Sequence, residues 1–184
     1  SFVDVYRIID EAGLVIQGER GRRVKLKTQL AAADYLVNAA PMNLRKIIIR
    51  LLARLTGEMP ENGELLLRTE NISRGTQGAG ILPDALHGDY YLKISIQSLS
   101  AKSSGNSISG LTGFLKYSIE PDEIKDPGIS DIYRKIIDMG GAMVIDTETP
   151  PQLSPVISVF FPVVRTDEAS MGDKYGGPVK GGGT

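Results

Sequence analysis

Lys46, Arg50 and Arg54 recur at intervals of four in the stretch LRKIIIRLLARLTGEMPENGELLLRTEN, Leu44 to Asn71. Residues four apart share one face of a helix, so this spacing gathers three cations into a stripe. Two chemistries suit such a stripe. It can receive an anion, or it can lie solvated and paired with carboxylates, with Glu58 and Asp131 as partners. Charge runs on helices are usually of the second kind, and that reading is preferred. Metal ligation is excluded, because a guanidinium donates hydrogen bonds, accepts none and keeps its charge.

The other candidates carry less. The single histidine, His87, lies in DALHGDYY, and no second histidine is present to share a metal. It sits beside Gly88 in a predicted hairpin loop, a poor setting for a phospho-acceptor. The run GTQGAG, Gly75 to Gly80, has the composition of a phosphate loop, but such loops feed a helix and this one joins two predicted strands. EPDEIKD, Glu120 to Asp126, offers carboxylates without a partner motif and reads as a polar loop. Cysteine is absent, which excludes disulfides, thiolate catalysis and zinc–thiolate sites and fits a reducing, cytoplasmic setting.

The 184 residues are 41% hydrophobic and 23% charged, the composition of an ordinary globular domain with a core. A formal net charge of −1 provides no global basic field for nucleic acid or an anionic membrane. The apolar runs are too short to span a bilayer, and no signal peptide opens the chain. The chain starts at Ser1 and reads as a fragment of a longer protein, with a domain over residues 1–165. Residues 166–184, ending YGGPVKGGGT, read as a flexible Gly-rich tail.

Several elements must position these residues. The apolar spacing of Val3 to Val15 predicts a helix stopped at Gly18 and Gly21. RRVKLKTQL alternates like a half-buried strand, and ADYLVNA is either a short strand or a loop. Asn43 is the expected N-cap of a helix over Leu44 to Leu55, whose apolar stripe is Leu44, Ile47, Ile48, Leu51, Leu52 and Leu55, with Gly57 and Pro60 as its stop. GELLLRTE and YYLKISIQS read as strands joined by a long hairpin connection. LTGFLKY reads as a short core-packing helix. GISDIYRKIIDM is helical and ends at Gly140-Gly141, and AMVIDTE and VISVFFPVV are the last strands. The sum is an α+β fold, a two-layer α/β sandwich with helices on one face of a mixed, mostly antiparallel sheet.

That order resembles the ATP-binding domain of sensor histidine kinases and the wider gyrase/histidine-kinase/MutL-like superfamily, of Bergerat-type fold. The likeness covers about Phe2 to Val164. It rests on FVDVYRIIDEAGLVI, on MNLRKIIIRLLARLTGEMPENGELLLRTE with its P-x-x-G exit, on DPGISDIYRKIIDMGGAMVIDTE and on SPVISVFFPV. The resemblance implies a helix that presents asparagines to magnesium and phosphate; Arg50 and Arg54 stand at those positions. It implies an Asp-x-Gly-x-Gly turn that reads adenine; the Asp position falls near Ser98, and Gly105 or Gly110 stands for a turn glycine. It implies a second glycine box, in which Gly128 remains and Pro127 removes a backbone donor. The family's mobile ATP lid corresponds to the stretch around EPDEIKD.

Arg50, Arg54, Ser98, Gly105 and Gly128 thus outline a vestigial nucleotide pocket, with no catalytic residue and no metal ligand. The expectation is a degenerate histidine-kinase-type domain acting as a regulatory or docking domain in phosphorelay signalling, without a cofactor. Its partner would be a response-regulator receiver domain or another kinase, and the isolated domain would be a monomer. One alternative is an active, divergent sensor kinase that binds ATP with magnesium and phosphorylates a histidine outside this stretch. Another is an interaction scaffold unrelated to phosphorelay.

Overall fold

The computed structural model describes residues 1–18, 24–57, 59, 62–75, 82–99, 127–146 and 156–166. In chain order the elements are β1 (Phe2–Asp4), α1 (Val5–Gly18), β2 (Lys25–Leu30), β3 (Leu36–Asn38), α2 (Pro41–Thr56), β4 (Glu64–Ser73), β5 (Tyr90–Ser98), α3 (Pro127–Asp138), β6 (Ala142–Asp146) and β7 (Val156–Pro162). Five strands form one sheet in the order β2-β4-β5-β7-β6, and β1 and β3 form a separate pair. The β2–β4 ladder is parallel and the other ladders are antiparallel. The described residues therefore form the α+β arrangement expected, with a mixed sheet.

Strand periodicity explains how the core is filled. Successive side chains of a strand point to opposite faces. Leu65 and Leu67 of β4, Leu92, Ile94 and Ile96 of β5, and Ile157, Val159 and Phe161 of β7 are buried in one cluster with the helices. The helices contribute Ile8, Ile9, Ala12 and Ile16 of α1, the whole Leu/Ile stripe of α2, and Ile129, Ile132, Tyr133 and Ile136 of α3. The three described helices thus cover the same face. On the opposite face a smaller cluster joins Ile72, Leu82, Leu86, Tyr91, Ala142 and Phe160.

Three expectations change. Val3 lies in β1, not in a helix, because its neighbours pair with β3: Val3 faces Val37 and the backbone enters α1 only at Val5. Asn43 does not cap α2. The cap is Ala40, in an extended conformation, and Pro41 begins the helix, where its preset φ and missing N–H do no harm. β4 runs on to Ser73, since β5 supplies a partner up to the Ser73–Tyr90 pair. The ambiguous ADYLVNA contains β3. The expected helix LTGFLKY, Gly105, Gly110 and the lid stretch lie outside the described residues, as do residues 167–184.

Ser1 and Val164 both bond to the β3 segment. Ala39 N donates to Ser1 O at 3.0 Å, and Val164 N donates to Leu36 O at 3.1 Å on the other side. Thr166, assigned to the tail on sequence, is tied to Asp34 by its amide at 2.9 Å and by its hydroxyl. α3 ends in a Schellman motif: Gly140 at φ +75° donates to Ile137 O, and Gly141 donates to Ile136 O. A Cβ on Gly141 would lie 2.2 Å from Phe160 O, so the α3–β6 turn packs its backbone directly on β7.

Candidate functional site

The polar side of α2 is set by the burial of its other side. With Leu44, Ile47, Ile48, Leu51, Leu52 and Leu55 inside, the positions of Lys46, Arg50 and Arg54 turn away from the core. Arg50 meets α3 there. Its Nη1 lies 2.7 Å from Asp131 Oδ2, and Lys135 Nζ reaches the same oxygen at 2.9 Å. Asp131 is one turn into α3, so two cations from two helices share one carboxylate oxygen. The hydrogen bond from Lys135 holds the Asp131 carboxyl below the usual carboxylate range. The Lys135 and Arg50 charges and the Arg50 hydrogen bond act in the same direction. The basic stripe is therefore salt-bridged at Arg50, with Asp131 the partner.

Of the remaining expected residues, Gly128 lies next to this contact. Gly128 is the second residue of α3, after Pro127 and three before Asp131, so Arg50 is tied to the helical turn that carries it. Arg54 lies one turn further along α2 and is half-buried. Ser98 is the last residue of β5, opposite Leu65, and shares strand parity with Ile94 and Ile96 on the helix-covered side of the sheet. Gly105 lies outside the described residues. His87 is exposed in the β4–β5 connection.

Two polar arrangements escaped the sequence reading. In the first, the Asp34 carboxylate accepts from Tyr90 Oη, from the Thr166 amide and from the Thr166 hydroxyl. The Arg165 guanidinium stacks 4.3 Å above the Tyr90 ring. Burial raises the Asp34 pKa, but the hydrogen bonds from Thr166 and Tyr90 and the Arg165 charge outweigh it and leave the carboxyl below its ordinary range. Burial and then the Asp34 carboxylate push the Tyr90 hydroxyl up to about 12. The second is a cavity of about 320 Å³ on the sheet face away from the helices, where Arg68, Ser95 and Gln97 are among its walls. The alternation in β4 and β5 was a signal for a shared polar face. The register that aligns these residues across strands was not in the sequence.

No protein-family model matches the chain, and no curated protein matches it. Solved structures do. A mycobacterial sensor histidine kinase, MprB, aligns over 89% of this chain and 97% of its own at 14% identity and a TM-score of 0.57. The catalytic domain of the histidine kinase ThkA, in a nucleotide-free form, aligns over 88% of this chain and 95% of its own at 15% identity and a TM-score of 0.59. ThkA in complex with the response regulator protein TrrA aligns over 89% of this chain and 42% of that one at 14% identity and a TM-score of 0.56. At such identities the likeness is one of fold. Among the described residues no helix is long and apolar enough to cross a membrane. The α2–α3 contact stands in a chain that has the fold of the histidine-kinase catalytic, ATP-binding domain.

Proposed function

We propose that this is a degenerate histidine-kinase-type ATPase domain, one that works in phosphorelay signalling as a regulatory or docking domain. The observation that carries the reading is the Arg50–Asp131 ion pair at 2.7 Å. Magnesium takes oxygen ligands. On the polar side of α2 the resemblance places Arg50 and Arg54 where such ligands would be, and both offer donors only. The Asp131 carboxylate beside them already accepts from Arg50 and Lys135. The resemblance puts the adenine-reading carboxylate near Ser98, at the end of β5, which carries only a hydroxyl. The side chains present do not fit a magnesium nucleotide held in the family's manner.

The partner in this reading is a receiver domain or a true kinase. Support comes from ThkA, a protein of the same fold that assembles with a response regulator protein. Titration calorimetry with Mg-ATP and Mg-ADP is the decisive measurement, and no magnesium-dependent heat is expected. Micromolar, magnesium-dependent binding would sink the proposal.

One observation favours a second reading, an active but divergent sensor kinase. Gly128 lies in the first turn of α3, where backbone amides point outward and favour phosphate oxygens. Autophosphorylation of the full-length protein would decide for it.

A further inference from the structure

We propose that the sheet face away from the helices holds a second site, for a small organic oxyanion, a carboxylate or a phosphate monoester. This site lies across the sheet from α2 and α3 and does not depend on the nucleotide pocket.

The register builds it. One cross-strand row runs Gln29–Arg68–Ser95–Ser158–Val144 from β2 through β4, β5 and β7 to β6. The rows on either side carry longer groups, Leu66 and Gln97 on one and Glu70 and Lys93 on the other. Ser95, short between these longer neighbours, leaves a trough on the sheet, the cavity of about 320 Å³ that Gln29, Arg68 and Ser95 of the row help to line. That volume lies at the low end of the range for small-molecule sites.

The polar groups sort into engaged and available. Lys93 Nζ is 3.3 Å from Glu70 Oε1, so that charge is balanced within the wall. Ser95 and Ser158 share one hydrogen bond, Oγ to Oγ at 3.2 Å. When Ser158 donates in that bond, the Ser95 hydroxyl, which lines the cavity, keeps its own proton to donate. The Arg68 side chain is exposed and has no hydrogen-bond or ion-pair partner among the described residues. An arginine on an open sheet is ordinarily solvated. This one lines a trough together with the Ser95 hydroxyl and the apolar side chains of Leu66 and Val156. A guanidinium fork binds a carboxylate or phosphate through two parallel hydrogen bonds. The Ser95 hydroxyl would supply a further donor, and Leu66 and Val156 would contact a short carbon body.

The test is an amide NMR titration of the whole chain with two probes, succinate and glycerol 3-phosphate, at matched ionic strength. The expected result is saturable perturbation of amides in β2, β4 and β5 by at least one probe, with a dissociation constant of about 1 mM or tighter. The tighter probe identifies the head group. Arg68→Gln should weaken binding by about tenfold or more. Ser95→Leu, which fills the trough with Arg68 intact, should do the same. Arg50→Ala, on the other side of the sheet, should leave it unchanged. The proposal is overturned if neither probe gives saturable shifts in the wild-type protein, if the shifts localise elsewhere, or if a folded Arg68→Gln or Ser95→Leu variant binds as the wild type does.

Discussion

Arg50 of α2 and Asp131 of α3 are joined by an ion pair 2.7 Å long whose two side chains remain 52% and 48% exposed. The pair is well formed but wet. Exposed pairs gain little, because water screens the attraction and two long side chains lose freedom. Arg50→Ala is therefore expected to leave the thermal midpoint nearly unchanged, with any difference from wild type vanishing in about 1 M salt. A large, salt-independent loss would show that the pair holds the two helices together.

The same geometry bears on nucleotide binding. Replacing both Arg50 and Arg54 with asparagine restores amide oxygens on α2 but leaves Ser98 at the end of β5. Titration of that double variant with Mg-ATP should still give no binding heat. Recovery of micromolar affinity would mean that the two arginines alone had closed the site.

The α3–β6 turn separates two kinds of glycine requirement. Gly140 is needed for its positive φ, and alanine there costs about 1 kcal/mol. Gly141 is needed for space, since a Cβ would sit 2.2 Å from Phe160 O and 3.1 Å from Ile136 O, both backbone atoms that cannot swing aside. Urea denaturation should show Gly141→Ala to be the more damaging of the two. Equal losses would show that the turn relaxes away from β7.

The core offers a reference for these effects. Leu51 is 1% exposed in the middle of the α2 stripe. Leu51→Ala should cost about 2–5 kcal/mol in urea denaturation, the loss of buried methyl groups plus a residual cavity.

The Asp34 cluster sets a pH dependence with two edges. A carboxyl with a depressed pKa contributes stability that is present above its unfolded value of 3.8 and lost as pH falls through the lower folded value. Tyr90 works in the opposite sense. Its hydroxyl, raised to about 12, contributes stability that is complete below the unfolded value of 10.0 and is lost as pH rises from there through about 12. Thermal midpoints should show Asp34→Asn converging on wild type in acid and Tyr90→Phe converging on it in strong alkali. A constant offset for either variant across the whole range would rule out linkage through these groups.

What could be read from the chain follows from the range of the forces involved. The α2 stripe is a local period, and all six of its apolar positions are buried as expected. β5 occupies the expected YYLKISIQS, where apolar and polar residues alternate from Leu92 to Gln97. β1 was hidden because three residues become a strand only when β3 lies alongside. The α2 cap was misassigned because Asn43 has the right side chain, while Pro41 two residues earlier already satisfies a helix start. At the site, the spacing of Arg50 and Arg54 was legible, and so was Asp131 as a partner. Asp34 was not, since its ligands Tyr90 and Thr166 are 56 and 132 residues away. The Arg68–Ser95–Ser158 row was equally hidden, because it exists only after three strands have taken their register.

β3 has a mechanical consequence. This three-residue strand is bonded to Ser1 through Ala39 on one side and to Val164 through Leu36 on the other. A load applied between Ser1 and Thr166 would be borne first by β3 and its flanking bonds, before it reached the five-stranded sheet. The domain thus has a short tension link beside its core, made of the β1–β3 pair and the Val37–Val163 bridge.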